Sequence, residues 1–498
     1  MRFTLLLAFF FADPQLPLAD RESGTAWLAS LDVKSPPGGL ALENPWAQPF
    51  THRSLVVPVD WFKRPTPERI SAEALRQDLA ILKAVMANTY GGWDSAKRLG
   101  LDWDAFFRDA DASLEGKGDI PTKDAFAFWN KLMAVQLDNH SGPIPAYGGN
   151  FLSRSAQLKS APKGVCTEAK TETSAIIPLN PRDPAQQPRA ARDAAMQPVD
   201  YIAYPNRQEF SAVHCGDQWV EVTPSWKAPD AEKLSNILAL AETPKDVPSF
   251  RRINRRIAYL RLPTFSKSNN ELLLNLAPLI KSNGEKLLIV DLRRNSGGDI
   301  RINAVSKWVK VPGVNSSTRL SKSCLYPHLR WGYAMISSKN IQPPISDSLR
   351  GMLQSSADAL MKPSPDGCPS SFKESQGNWN FTKRQPWAKS KSHTRILALV
   401  DNGCGSDCEY AVLKLSAIPG AVFAGQNTYG VVQFIQPGYF VLPNTKHVFR
   451  VALGTSDPYG DQRSFDGYGF DVDLLLTTRE SQTPAAILQL AERLLDGR

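Results

Sequence analysis

The chain of 498 residues is too long for one ordinary hydrophobic core, so two or three domains are expected. Hydrophobic residues make up 42% and charged residues 21%, which excludes a disordered chain. The net charge of +9 comes without a basic run, a finger spacing or an aromatic platform, so nucleic acid is not expected as a partner, although an acidic surface or substrate stays open.

At the N-terminus, Arg2 precedes the apolar run Leu5–Ala12, and Ala19 offers a small residue for cleavage. Residues 1–19 therefore read as a short secretory signal peptide, with a buried N-terminal strand as the alternative. No later stretch reaches the length of a membrane span, so stable membrane insertion is not expected and the location is read as secreted or periplasmic. Six cysteines agree with export, because an oxidising compartment lets an even number pair. Of 15 connectivities, the simplest joins Cys166 with Cys215, Cys324 with Cys368 and Cys404 with Cys408. The last pair would close a five-residue loop around Ser406 and stiffen it. The six histidines do not cluster in sequence, so neither a metal nor another cofactor is implied.

Residues 20–142 begin with a Pro/Gly-rich extension and the strand-like patch Ser54–Val59. Helical periodicity then predicts three helices: one marked by Ile70, Leu75, Leu79, Leu82 and Val85, one from Leu101, and one from Thr122 carrying Phe126, Trp129 and Leu132. Residues 143–255 give a mixed signal, with strand candidates at Ser174–Leu179 and Trp219–Thr223. Between them Pro181–Gln197 reads as an exposed loop or linker. Residues 256–498 alternate strand and helix, which predicts an α/β core. Its predicted elements are Ile257–Leu262, a helix over Asn270–Ser282, Leu287–Leu292, Ile396–Val400, a helix from Cys408, Gly420–Gly425, a strand within Thr445–Leu453 and a closing helix over Ala485–Leu495.

Two strand ends in that core carry candidate chemistry. After Ile396–Val400 come Asp401-Asn402-Gly403-Cys404-Gly405-Ser406 and then a helix start. A strand, a tight turn and a helix N-terminus expose a serine hydroxyl while amide N–H groups face any oxygen that becomes negative. The bland alternative is a helix N-cap. After Leu287–Leu292 come Arg293-Arg294-Asn295-Ser296-Gly297-Gly298, whose paired glycines allow close backbone approach; the alternative is a plain turn.

Five segments recur in one order: Leu137-Asp138-Asn139-His140-Ser141-Gly142, Leu288–Gly298, Gly405-Ser406-Asp407-Cys408-Glu409, Gly425–Gly430 and Phe465–Asp473. In kind and order they resemble the tail-specific, or C-terminal-processing, serine protease family (peptidase family S41). The likeness covers roughly 65–142 and 255–495. It implies a helical N-terminal domain, an α/β protease core of the crotonase-like type, and a small β-containing insert over 143–255 in the place of the family's PDZ-like domain, diverged from it. Where many members carry a catalytic lysine this chain has Val431, which cannot accept a proton. The resemblance is therefore to the tricorn-like and chlamydial secreted branch with Ser-His-acid catalysis. It implies Ser406 as nucleophile, His140 as base and Asp466 as the acid, with Asp471 as its rival. The oxyanion would meet the N–H of Asp407 and that of Gly297 or Gly298. Asp138 and Glu409 would support the site.

The resemblance thus implies an exported serine endopeptidase acting on protein or peptide substrates, its oligomeric state open and a dimer included. Two other classes stand beside it: a non-catalytic ligand- or protein-binding member of the same fold, and an α/β-hydrolase. Against the latter, Ser406 lacks the Gly-x-Ser-x-Gly elbow and the proposed histidine precedes the serine. Asn139-His140-Ser141 also forms a glycosylation triplet, which beside a base reads as chance.

Overall fold

The computed structural model describes, apart from short interruptions, residues 67–133, 138–144, 153–224, 248–265, 286–298, 317–333, 372–376, 395–458 and 463–497, with Leu55 and Val57. The signal peptide expected over 1–19, the helix expected over 270–282 and the expected Cys324–Cys368 pair lie outside the described residues.

The first described part pairs β1 (Arg69–Ser71) with β2 (Asp119–Pro121) and carries helices α1 (Ala72–Thr89), α2 (Trp93–Arg98), α3 (Trp103–Ala112) and α4 (Thr122–Met133). The Ser71 hydroxyl caps α1 by accepting the Ala74 N–H at 3.1 Å, and Asp102 caps α3 in the same way. Three of these helices fall where apolar periodicity predicts them. Their buried stripe, including Leu75, Leu82, Trp103 and Trp129, shares one core with Phe440, Phe449 and Leu453 of a sheet formed much later in the chain.

Next come β3 (Gly142–Ile144), β4 (Ser153–Leu158), β5 (Cys166–Thr171), β6 (Ile176–Pro178), β7 (Arg189–Arg192), β8 (Pro198–Pro205), β9 (Phe210–Cys215) and β10 (Gln218–Pro224). A Cys166–Cys215 disulfide ties β5 to β9. One expectation fails here. Pro181–Gln197 is not simply a linker, because it contains β7, which pairs antiparallel with β8 and meets Leu474 at Arg192. Local composition concealed it, since these pairings lie outside the segment.

The α/β part adds β11 (Ser249–Arg252), β12 (Ile257–Arg261), β13 (Leu287–Asp291), β14 (Ser317–Ser321), β15 (Phe372–Gln376), β16 (Arg395–Val400), α5 (Asp407–Ser416), β17 (Val422–Gly425), β18 (Phe434–Val441), β19 (Val448–Asp457), β20 (Leu474–Leu475), α6 (Thr478–Gln482) and α7 (Pro484–Asp496). Strands β12, β13, β16, β17 and β20 run parallel in that order, and the sheet continues through β7 into the 153–224 strands. A second sheet runs β15-β14-β19-β18, with β3 pairing β19.

Helices cover the parallel strands on both faces, which is why those strands read as unbroken apolar runs. Ile396, Ala398 and Val400 of β16 pack toward α5, while Leu397 and Leu399 pack toward Leu490 and Leu494 of α7. The registers Asp291↔Leu399 and Val400↔Gly425 bring the carboxyl ends of β13, β16 and β17 to one edge. In open α/β sheets that edge is where ligands bind.

Candidate active site

Ser406 sits between β16 and α5 with φ +55° and ψ −121°, a region that non-glycine residues rarely occupy. Such a conformation costs on the order of 1–3 kcal/mol and persists only where its surroundings hold it. Several contacts do so. The Ser406 N–H donates to Glu409 Oε2 at 3.2 Å, the Gly405 N–H to the Asn295 carbonyl at 3.1 Å, and the Tyr429 N–H to the Cys404 carbonyl at 2.8 Å. A Cys404–Cys408 disulfide spans the serine.

Glu409 is fully buried. Besides Ser406 it accepts the Thr428 hydroxyl (2.6 Å) and the N–H groups of Gly430 (2.7 Å) and Val431 (2.9 Å). Burial pushes its carboxyl up to about 7, against these four hydrogen bonds. It is a tether between α5 and the loop after β17, the structural role that its place in the first helical turn suggests.

The loop after β13 packs directly on the serine. A Cβ on Gly297 would come within 2.7 Å of the Gly405 carbonyl oxygen and 2.9 Å of both the Asp407 nitrogen and Ser406 Cβ. Its φ of +96° also requires glycine. The Gly297 N–H, however, donates to Asn295 Oδ1 at 2.9 Å. Of the two glycine donors expected for an oxyanion, this one is engaged. Gly298 has no hydrogen bond from its N–H among the described residues. Asp401, not singled out from sequence, joins the two loops: its Oδ1 accepts the Arg294 N–H (2.8 Å) and the Gly403 N–H (2.9 Å). An aspartate at a strand end looks like any turn residue, so no local signal distinguished it. Below them Asp291 holds Arg293 and Arg261 in a buried ion cluster and takes the Tyr259 hydroxyl at 2.6 Å. The Arg293 and Arg261 guanidiniums keep the Asp291 carboxyl ionised far below the usual range in spite of its burial.

His140 lies in the turn before β3. Its main-chain N–H donates to Asp138 Oδ1 at 2.6 Å, and the Ser141 hydroxyl donates to Asp138 Oδ2 and accepts the Ala452 N–H. The Tyr90 hydroxyl also meets Asp138. Asp466 is buried, with Oδ1 accepting the Gln433 N–H at 2.8 Å. Ligand-capable atoms of Asp138, His140 and Asp466 all lie within 4.8 Å of one another, so the imidazole is close to both carboxyls. Burial and the nearby Arg450 lower the His140 pKa to about 3, opposed by a hydrogen bond to the Phe434 carbonyl. Its Nδ1 is buried and makes no hydrogen bond among the described residues. Asp471, the rival acid, pairs instead with Arg189 and Arg463.

One short segment links the histidine group to the serine. The Val431 N–H reaches Glu409, the Gln433 N–H reaches Asp466, and the Phe434 carbonyl faces His140. Three residues span at most about 11 Å.

Ser406 thus occupies strained backbone at a helix start, at the carboxyl edge of the parallel sheet. Residues 256–473 match the model of peptidase family S41. Ser406 and Asp466 fall inside the match and His140 before it. Curated proteins give no match. Among solved structures, a Parabacteroides merdae protein described as a peptidase is 13% identical, with a TM-score of 0.44 over 85% of this chain and 97% of that one. Mature CPAF in complex with lactacystin is 12% identical, with a TM-score of 0.41 over 86% and 99%. The photosystem II D1 C-terminal processing protease is 12% identical, with a TM-score of 0.35 over 84% and 96%.

Proposed function

We propose that this chain is an exported serine endopeptidase that cleaves protein or peptide substrates through an acyl-enzyme. The observation that carries this reading is the strained Ser406, held at a helix N-terminus against the Gly297 backbone within the segment that matches family S41. Ser406 Oγ attacks the scissile carbonyl carbon and His140 takes its proton. The oxyanion meets the N–H groups of Asp407 and Gly298. His140 then returns the proton to the leaving amine, and water releases the acyl group by the same steps.

With its pKa lowered to about 3, His140 is neutral at pH 7 but a weak base, so the proton transfer depends on stabilising the imidazolium as it forms. The imidazolium that forms is stabilised by Asp466, with Asp138 close by. No helix among the described residues is long and apolar enough to cross a membrane. The disulfides at Cys166–Cys215 and Cys404–Cys408 support an oxidising compartment.

The weak proton affinity of His140 and its hydrogen bond to the Phe434 carbonyl favour a second reading, a binding protein that has kept the fold. Turnover of an unstructured protein substrate by the wild type and by Ser406→Ala separates the two. The peptidase reading expects cleavage by the first and none by the second. Equal rates would refute it.

A further inference from the structure

We infer that the Cys404–Cys408 disulfide is a positioning element of the nucleophile, so that peptidase turnover depends on the oxidation state of this pair; the inference rests on the peptidase reading of Ser406. The bond joins the residues two before and two after Ser406, and both cysteines are fully buried. Inside the loop lie two features that acyl transfer needs together: the positive-φ serine and Asp407, whose N–H opens α5. A serine in that conformation relaxes toward ordinary backbone angles unless its flanks are held. The flank on the β16 side is held at Gly405 by the Asn295 carbonyl and at Cys404 by the Tyr429 N–H. The flank on the helix side is held through Glu409. The disulfide is the covalent tie between the two flanks.

It also packs against the neighbouring strand end, since Cys408 Sγ lies 3.7 Å from the Leu292 carbonyl, just before the glycine loop. Opening the bond leaves the strands and the α5 core in place, because those rest on apolar packing around Ile396, Ala398, Val412 and Leu415. What it frees is the direction of the Ser406 hydroxyl relative to the Asp407 N–H. Reduction by a dithiol is balanced: one thiolate attacks a sulfur of the pair to give a mixed disulfide, and the second thiol displaces it. Cys404 and Cys408 become thiols and the reductant a cyclic disulfide, with two electrons and two protons transferred.

The test uses the full chain, with alkylation and mass spectrometry reporting the state of each cysteine. Peptide hydrolysis and labelling by a fluorophosphonate are followed before reduction with dithiothreitol, after it, and after reoxidation with oxidised glutathione. Misplacement of a reacting group by about 1 Å lowers rates on the order of a hundredfold. Reduction of Cys404–Cys408 should therefore lower kcat and the labelling rate about tenfold to a hundredfold, with KM within about twofold and the thermal midpoint little changed; reoxidation should restore both. If the buried bond resists the reagent, the double variant Cys404→Ala/Cys408→Ala, assayed without reductant, should show the same kcat loss at similar KM. Wild-type kcat and labelling in the reduced protein, or in a folded double variant, would overturn the inference and leave the peptidase reading standing. If the oxidised wild type neither hydrolyses nor labels, the peptidase reading fails and this inference falls with it.

Discussion

Gly297 and Ser406 stand so close that a methyl group on the glycine would lie 2.9 Å from the serine Cβ. The same methyl would meet the Gly405 carbonyl oxygen and the Asp407 nitrogen, all fixed backbone or near-backbone atoms that cannot swing aside. Gly297→Ala must therefore displace one loop from the other, and at φ +96° the new residue is strained as well. A loss of kcat/KM of about a hundredfold is expected from steady-state kinetics, with the far-ultraviolet spectrum retained. A variant as active as wild type would show that the two loops do not act together.

Glu409 predicts an unusual pH dependence. Its carboxyl, pushed up to about 7 by burial, is an acceptor for Ser406, Thr428, Gly430 and Val431. On protonation one oxygen becomes a donor facing donors, and the serine loop loses a tether. His140, neutral down to about 3, produces no acid limb in the neutral range. A fall in kcat/KM below about pH 7 should therefore belong to Glu409 and vanish in Glu409→Gln, whose profile should be flat from pH 5 to 8 at whatever level it reaches. A limb near 6.5 that survives in that variant would assign the titration to a histidine instead.

A second buried histidine governs acid stability. Trp129 Nε1–H donates to His447 Nδ1 at 2.9 Å, and Phe126 packs 4.2 Å from the ring centroid. Burial lowers the His447 pKa from 6.5 to about 4. The unfolded chain then binds this proton before the folded one does. The stability is fully present above about 6.5 and is lost as pH falls toward 4, at about 1.4 kcal/mol per pH unit per group. His140 adds a loss that starts from the same upper limit and continues down to about 3. Denaturant titrations between pH 7 and 4 should give a shallower slope for His447→Gln, by about one proton. An unchanged slope would mean that His447 is not held neutral.

Truncating the tether itself is a stability test. Glu409→Ala leaves a buried hydroxyl and three backbone N–H groups without their acceptor, and each such group costs about 1–3 kcal/mol. Partial rescue by water keeps the expected total near the lower end, about 4 kcal/mol, read as a lower denaturation midpoint. A midpoint equal to that of the wild type would remove Glu409 from the account of how Ser406 is held.

Much of the core was legible because burial on both faces leaves a plain trace. Ile396–Val400 and Leu287–Val290 had to be apolar throughout, and α1, α3 and α4 had to repeat every three or four residues to share a core with β18 and β19. Less was legible where structure comes from distant partners. Strand β7 is made by β8 and β20, and Pro437 and Gly438 break up the pattern of β18, which pairs with β19 along its length. At the site the residue types pointed to the two loops, and the Cys404–Cys408 spacing to a disulfide within the serine loop. Side-chain competition stayed hidden: Asn295 occupies the Gly297 N–H, and Asp401 clamps the backbone of both loops.

The central claim is that Ser406 is a nucleophile activated by His140, and covalent labelling addresses it without knowledge of the natural substrate. Full-length protein is treated with a fluorophosphonate, and the adduct is located and timed by mass spectrometry in the wild type and in His140→Ala. We predict a single adduct on Ser406 in the wild type, forming at least about a thousandfold faster than in the variant. An adduct on another residue, or equal rates with and without the imidazole, would contradict the account.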